Sequence, residues 1–313
     1  MQLQSRSVQR PAAPAPKRAA RCAIIGALAA SLAASSAHAD IATRDVAEAL
    51  RYDAAEATAN IWYDPDEWTP RGWSVHTEAR VWAPGMGGEI RLPGGRSNIR
   101  VARELDAGDP QATPIGEFRY RSGGMTYSFS GSGFGVSERT TADRNFTLGD
   151  VSVGAGDRIG IDIDLITVEA MVEWRVWQFR KGRRQADTGV SLDLDLGVGA
   201  RMYDLNMRFN APSGDASGSG FWAEPFIGAR LAVEMLDRYT LETAFSSGGF
   251  STGDHRSISW TAQVAFHWRF MENAGAHIGF RHQFTDLQRG SNDSRVRLNG
   301  SLSGLFAGVS IRF

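Results

Sequence analysis

The sequence has almost no cysteine and no long apolar segment. Cys22, in the amino-terminal segment, is the single cysteine among 313 residues. A disulfide framework, a zinc–thiolate site and a thiol nucleophile are therefore excluded in the rest of the chain. No segment approaches the run of about 18 apolar residues that a transmembrane helix needs, so any membrane span must be made by strands. The formal net charge is only −1, which gives no reason to expect a nucleic-acid partner.

The sequence also lacks the common catalytic and metal-binding motifs. It has no HExxH, no P-loop and no GxSxG. The glycine-rich stretch 131–135, Gly-Ser-Gly-Phe-Gly, is not followed by the helical pattern that a dinucleotide site requires. His76, His267 and His277 have no diagnostic ligand spacing. We therefore predict no catalytic residue, no cofactor and no metal site.

Glycine and tryptophan, in contrast, are abundant, with 35 and 9 residues. Both suit a β-barrel, which needs tight turns and aromatic girdles. From Trp73 onward, apolar residues alternate with polar ones, which is the period of a β-strand with one apolar face. In the last such segment, residues 302–313, the apolar face includes Leu305, Val309, Ile311 and Phe313.

This carboxy-terminal strand, with its final aromatic residue, resembles the terminal strand of bacterial outer-membrane β-barrels, where such a strand is an assembly signal. The resemblance implies that Leu305, Val309, Ile311 and Phe313 form that signal. It also implies outer-membrane lipid, lipopolysaccharide and the β-barrel assembly machinery as partners. The expected location is the outer membrane of a Gram-negative-type bacterium, with both ends of the barrel chain in the periplasm.

The amino-terminal segment has the layout of a secretory signal peptide. Basic residues precede an apolar, alanine-rich run, and Ala39 ends a small-x-small cleavage site. We predict a signal peptide over residues 1–39, with cleavage between Ala39 and Asp40. Residues 40–71 are predicted to be a periplasmic segment that leads into the first strand or, alternatively, plugs the barrel. Residues 72–313 are predicted to form the barrel itself.

Connection lengths predict the topology of that barrel. Short connections alternate with longer ones, as expected when short periplasmic turns and longer extracellular loops join antiparallel strands. The predicted fold is all-β, an antiparallel up-and-down transmembrane β-barrel of about ten strands; segments 88–92 and 146–153 leave eight or twelve open. The predicted short turns are 122–124, 180–184, 237–238 and 271–275. The predicted long loops are 84–113, 137–157, 209–220, 248–256 and 288–294.

The polar face of the predicted strands is charged and mixed in sign. Because the interior of a ten-stranded barrel is narrow, we expect these charges to pair and to leave at most a narrow polar conduit. A β-bulge at 165–166 would keep the apolar residues of its strand on one face. The candidate lumen charges are Asp162, Asp164, Glu169, Glu173, Arg175, Asp193, Asp195, Arg201, Glu224, Arg230, Arg269, Arg281 and Arg312. The four aspartates among them would make any pore favour cations.

The leading functional hypothesis is a non-enzymatic outer-membrane barrel, structural or with a narrow pore, similar to small OmpA-type and porin-like barrels in architecture. The alternatives are an outer-membrane lipid-modifying enzyme and a secreted, soluble β-barrel binder. The segment 279–286 is superficially similar to the His-x-Ser element of lipid A deacylases. Phe284 stands where the nucleophilic serine belongs, two residues after His282, so the resemblance does not supply a nucleophile.

Deleting Phe313 tests the predicted assembly signal. We expect the truncated protein to be exported but not assembled, because the aromatic end of the signal is lost. Outer-membrane fractionation combined with heat-modifiable gel migration measures both steps. The control is Phe313→Tyr, which keeps an aromatic ring and should assemble. Truncated protein that still migrates as a folded barrel in the membrane fraction would show that the signal lies elsewhere.

Overall fold

The computed structural model describes residues 73–95, 98–105, 107–181, 190–236 and 238–313. The predicted signal peptide with its cleavage site at Ala39 and Asp40, the segment 40–71 and most of the predicted turn 180–184 lie outside these residues. Among the described residues, no helix has the length and apolar character needed to cross a bilayer.

The described chain is built almost entirely from β-strands, with a single helical turn, α1 (Val101–Glu104), and a 3₁₀ turn at Asn292–Ser294. The strands are β1 (Trp73–Arg91), β2 (Ile99–Arg100), β3 (Thr113–Ser122), β4 (Met125–Thr141), β5 (Phe146–Leu148), β6 (Val151–Val153), β7 (Arg158–Lys181), β8 (Val190–Ala211), β9 (Gly214–Met235), β10 (Tyr239–Thr252), β11 (His255–Arg269), β12 (Ala274–Arg289) and β13 (Val296–Arg312).

Ten of these strands form a closed antiparallel ring, in which each pairs with its neighbour along the chain. The ring closes where β1 pairs with β13, from His76 opposite Arg312 to Arg91 opposite Arg297. The prediction of an up-and-down barrel of about ten strands is thus confirmed. We call the end where β1 begins and β13 ends the near end, and the opposite end the far end.

The two segments that left the strand number open do not add strands to the wall. Residues 88–91 are the far end of β1, a wall strand that is already counted. Phe146–Leu148 pairs with Val151–Val153 as a separate small hairpin in the connection between β4 and β7, so the wall keeps ten strands.

Several of the predicted long loops are wrong, because the wall strands run further than their apolar faces suggest. β8 and β9 leave only two residues, 212 and 213, between them, and β10 and β11 leave only 253 and 254. On β9, the polar residues Asp215, Ser217 and Ser219 are exposed on the outward face, whereas Gly218 and Gly220 are buried on the inward face. Polar and glycine residues therefore do not mark the ends of these strands.

Pro84 was expected to end the first strand, yet β1 continues to Arg91. Pairing with β3 stops at Trp82 opposite Thr113, whereas pairing with β13 continues past Pro84 opposite Gly304. A proline has no N–H to donate, so it cannot sit in a strand that is hydrogen-bonded fully on both sides. At Pro84, β1 is paired with β13 only. The strand therefore tolerates the proline.

The two faces of the strands swap their polarity along the barrel axis: the inward face is apolar near the far end and charged towards the near end. On β7, Ile161, Ile163 and Leu165 point inward near the far end and are buried. Towards the near end, Glu169 and Glu173 occupy the same inward face. Between residues 161 and 173, the inward face of β7 thus changes from apolar to charged side chains without any break in the alternation.

This exchange corrects the placement of Asp162 and Asp164. No bulge occurs at 165–166; the irregularity in the pairing of β7 with β8 lies between Arg175 and Trp177. With the alternation uninterrupted, both aspartates face outward at the far end, opposite Arg208 and Asn206 of β8. They are therefore not lumen charges.

The far half of the barrel is filled by an apolar core. Inward side chains of the wall, such as Trp82, Tyr203 and Phe209, are buried there. Residues of the two longest connections, including Leu105 of the segment after α1 and Leu148 of β5, belong to the same core. The far end of the interior is therefore closed by packed hydrophobic side chains.

Glycines on the inward face make room for aromatic rings of the adjacent strand. Gly199 of β8 lies opposite Phe226 of β9, and Gly279 of β12 lies opposite Phe306 of β13. A Cβ atom at Gly199 would stand 2.7 Å from the Phe226 ring and 2.3 Å from the Ala170 carbonyl oxygen. The ring therefore occupies the volume that a side chain would need.

We expect Gly199→Ala to destabilise the barrel by about 1–3 kcal/mol, the usual cost of overpacking. The matched control is Gly116→Ala on β3, because a Cβ atom there would meet nothing within 4 Å. The control should change stability by less than about 0.5 kcal/mol. Denaturant unfolding in detergent, followed by tryptophan fluorescence, measures both. Equal losses in the two variants would contradict the close packing at Gly199.

Candidate functional site

The near half of the barrel interior contains a large set of charged side chains. Alternation places them there, because each strand turns the same face inward from end to end. The interior charges that form ion pairs are Glu78, Arg80, Glu117, Arg119, Arg121, Glu169, Glu173, Arg175, Asp193, Asp195, Arg201, Glu224, Arg230, Glu234, Glu242, Arg269 and Arg281.

Arg230 of β9 is the centre of the larger network. Its Nε lies 2.9 Å from Glu173 Oε1, and its Nη1 lies 2.6 Å from Glu242 Oε1. Its Nη2 also lies 3.8 Å from Glu117 Oε1 on β3. Arg119 reaches Glu242 from the other side, with Nη1 3.1 Å from Oε2. Besides the neighbouring pair β9 and β10, the network joins β9 to β7 and to β3, and β3 to β10, which share no backbone ladder.

Arg201 of β8 is the centre of a second network and is fully buried. Its Nε donates to Glu169 Oε1 over 2.9 Å, and its Nη2 donates to the Ser246 hydroxyl over 2.7 Å. Glu224 lies 3.6 Å from Nη1, and the guanidinium carbon stands 4.6 Å from the centre of the Phe226 ring. The positive charge of the guanidinium is thus balanced by carboxylates, and its N–H groups have hydrogen-bond acceptors, inside the barrel.

A third group of charges lies closer to the near end. Arg175 pairs with Asp193 over 3.2 Å and with Asp195 over 3.4 Å, and Arg121 pairs with Asp195 over 3.2 Å. Arg269 pairs with Glu234 over 2.8 Å. An unpaired ion in such surroundings costs several kcal/mol, so this pairing is what allows charge to fill the lumen.

The structure accordingly places the candidate lumen charges in two groups. Asp162 and Asp164 face outward, and Arg312 lies on the inward face of β13, opposite His76. The others take part in interior ion pairs, namely Glu169, Glu173, Arg175, Asp193, Asp195, Arg201, Glu224, Arg230, Arg269 and Arg281.

A small cavity lies between the networks around Arg230 and Arg201. Its volume is about 70 Å³, and Ser128, Ser130 and Thr261 are among its lining residues. A single water needs roughly 10–15 Å³, so the cavity has room for a few waters.

Sequence reasoning missed a histidine pair in the interior. His267 of β11 lies directly opposite His277 of β12, with ring centroids 5.0 Å apart, and Glu78 of β1 lies beside them. The sequence signal that could have found the pair is the hairpin between β11 and β12. Two inward histidines equally far from its turn must face each other.

A second unpredicted pair lies on the outer surface. His282 Nδ1 stands 2.5 Å from the Ser303 hydroxyl of β13, and the Trp260 ring packs on the imidazole at 4.7 Å. Among the described residues no carboxylate is hydrogen-bonded to His282. The pair therefore lacks the acidic member that orients the base in a serine–histidine–acid site.

The outward face of the near half is apolar. Ile227 of β9 is 66% exposed, and large apolar side chains are exposed on every wall strand except β3, where Phe118 and Tyr120 are half-buried. The residues of the predicted assembly signal, Leu305, Val309, Ile311 and Phe313, all lie on this outer surface. The backbone of Phe313 exchanges two hydrogen bonds with Val75 at the start of β1.

Beyond this apolar belt, the outward face of the far half is polar. Arg297 of β13 donates two hydrogen bonds to the Asp286 carboxylate of β12, over 2.9 and 3.1 Å. These hydrogen bonds raise the pKa of the Arg297 guanidinium above its ordinary value. A charged pair of this kind is suited to water.

No protein-family model matches the chain, and no curated protein matches it. Solved structures of similar shape include the outer membrane protease OmpT from Escherichia coli (TM-score 0.43, 9% identity, covering 77% of this chain and 97% of that one). A major outer membrane protein from Thermus thermophilus aligns with a TM-score of 0.29 and 8% identity, over 78% of this chain and all of its own. The attachment invasion locus protein Ail of Yersinia pestis, in complex with sucrose octasulfate, aligns with a TM-score of 0.30 and 11% identity, over 76% and 99%.

Replacing Arg230 tests the interior network. Arg230→Met leaves the buried carboxylates of Glu173 and Glu242 short of a partner, so we expect a loss of about 3–5 kcal/mol in stability. The control is Arg100→Met, because Arg100 and Glu89 form an exposed pair worth about 0–1 kcal/mol. Denaturant unfolding in detergent measures both. Similar losses would contradict a structural role for the Arg230 network.

Proposed function

We propose that the protein is an outer-membrane β-barrel with a closed lumen, non-enzymatic and structural in role. The observation that carries the proposal is that two unlike fillings follow each other along the barrel axis. Ion pairs fill the near half and an apolar core fills the far half. A solute would have to break both to pass.

The outer surface supports a membrane location. On β9 the outward apolar run begins at Phe221 and extends to Val233, with Ile227 and Leu231 between them. A tilted strand crosses the hydrocarbon core with about 9–11 residues, so this run is sufficient. A soluble protein rarely exposes an apolar surface that encircles it, which disfavours the secreted binder.

The orientation in the membrane follows from the two ends. The longest connections, between β1 and β3 and between β4 and β7, are at the far end together with the polar outward strand ends. We infer that the far end is extracellular and that both barrel termini are periplasmic, as in other barrels. Lipid and lipopolysaccharide would then contact the apolar belt, and the assembly machinery would bind Leu305, Val309, Ile311 and Phe313.

A non-enzymatic role is supported by the incomplete site on the outer surface. His282 and Ser303 are in contact, but no carboxylate in the described part of the chain is hydrogen-bonded to the histidine to orient it. Neither is Ser303 the residue at which the deacylase resemblance placed a nucleophile. The proposal therefore assigns no catalytic residue.

Planar-bilayer recording of the purified, folded barrel tests the closed lumen. We expect no steps or only small ones, because the ion pairs and the apolar core leave no continuous water path. Any residual current should not depend on Asp162 and Asp164, which face outward. The double variant Asp162→Asn, Asp164→Asn is the matched control and should record as the wild type does.

Heat-modifiable migration of the same sample confirms that folded barrel was added to the bilayer. Large, porin-sized steps from folded protein would contradict the closed lumen. A change of ion selectivity in the double variant would contradict the outward placement of the two aspartates.

A further inference from the structure

We propose that Glu78, His267 and His277 form a binding site for a divalent transition-metal ion of the zinc class, inside the barrel near its near end. One ligand atom from each residue lies within 4.8 Å of the other two. Two imidazoles and one carboxylate are a donor set that zinc binds in proteins. The nitrogen donors disfavour magnesium and calcium, which take oxygen ligands.

Strand register brings the three residues together. His267 and His277 are paired across β11 and β12, whereas Glu78 is on β1, two strands beyond β12. The intervening strand, β13, places Gly308 opposite His277. A Cβ atom at Gly308 would lie 2.7 Å from His277 Nε2. The missing side chain is thus what lets His277 reach towards β1.

The site contains buried polar atoms that no protein group satisfies. Glu78 Oε1, His267 Nε2 and both ring nitrogens of His277 are buried without a hydrogen-bond partner among the described residues. The His277 side chain is itself fully buried. Native proteins leave few such atoms, and a bound ion is one of the explanations for a cluster of them. Here the unsatisfied atoms belong to the three residues that converge.

The surrounding charges leave one carboxylate oxygen for the metal. Arg80 holds Glu78 Oε2 in an ion pair, while Oε1 has no hydrogen bond. Arg119 Nη2 lies 3.9 Å from Oε1 and would have to share it. Glu117, bonded to both arginines, supplies a compensating charge. Glu78 can therefore bind a metal through Oε1 and keep its ion pair with Arg80 through Oε2.

The site needs only a small closure to bind an ion. Zinc–nitrogen bonds of about 2.0–2.1 Å in a tetrahedron place ligand atoms roughly 3.4 Å apart, so three atoms that lie within 4.8 Å of one another must close by up to about 1.4 Å. His76 Nε2 is 3.6 Å from Glu78 Oε1, and its side chain is 26% exposed on the near-end side. His76 is therefore placed beside Glu78 to become a fourth ligand.

Metal binding here would clamp the seam of the barrel. β1 and β13 close the ring, and the site links β1 to β11 and β12 across β13. An ion that binds the folded barrel and not the unfolded chain raises the unfolding temperature. The site is therefore expected to add stability as well as affinity for zinc.

The test uses the full folded barrel in detergent, treated with a chelator and titrated with Zn²⁺ against a chromophoric competitor. We expect one ion per chain and a higher unfolding temperature with zinc. The variants His267→Gln and His277→Gln should each weaken binding by about 100-fold or more. His282→Gln on the outer surface and His255→Gln at the far end are matched controls and should bind as the wild type does.

Wild-type protein that binds no zinc, or binds it equally well in His267→Gln and His277→Gln, overturns the proposal. Heat-modifiable migration shows whether each variant is folded. If a histidine variant fails to fold, X-ray absorption of the wild-type zinc complex decides the question. Two imidazole ligands support the site, and an oxygen-only shell refutes it.

Discussion

Pairing of buried charge across the lumen is the constraint on which the rest of this barrel depends. The backbone ladder joins only neighbouring strands, whereas Arg230 joins β9 to β7 and β3, and Arg119 joins β3 to β10. An ion placed inside a narrow barrel must find its counter-ion on another strand or remain unpaired at a cost of several kcal/mol. The relative positions of β3, β7, β9 and β10 are therefore coupled across the lumen.

The exchange of face chemistry along the axis connects this interior to the surroundings of the barrel. Where the outside is apolar, around Ile227, the inside is charged; where the outside is polar, around Arg297, the inside is an apolar core. The near half is thus suited to lipid and the far half to water. One continuous wall of strands serves both, and the boundary between the two chemistries indicates how far a membrane would reach.

The same register that pairs the charges also creates sites that no single strand encodes. His267 and His277 meet across a hairpin, and Gly308 leaves the space through which His277 approaches Glu78. His282 and Ser303 meet in the same way on the outer surface. Each of these contacts depends on the register of two or more strands, because the residues lie on different strands at the same height in the barrel.

Alternation and connection spacing were enough to predict an all-β fold, the number of wall strands, and which side chains of the near half point inward. Both signals are local properties of the chain and are the same before and after folding. They misplaced Asp162 and Asp164, since alternation separates two faces without saying which one is inside. They did not identify the partners of Arg230, because its contacts with β7 and β3 cross the lumen and depend on closure of the ring. The meeting of His267 with His277 depends on the register of the β11–β12 hairpin, which alternation alone does not give. At the far end the apolar side chains point into the barrel, where they pack with the long connections in a core. This is likewise a property of the folded ring and not of any single strand.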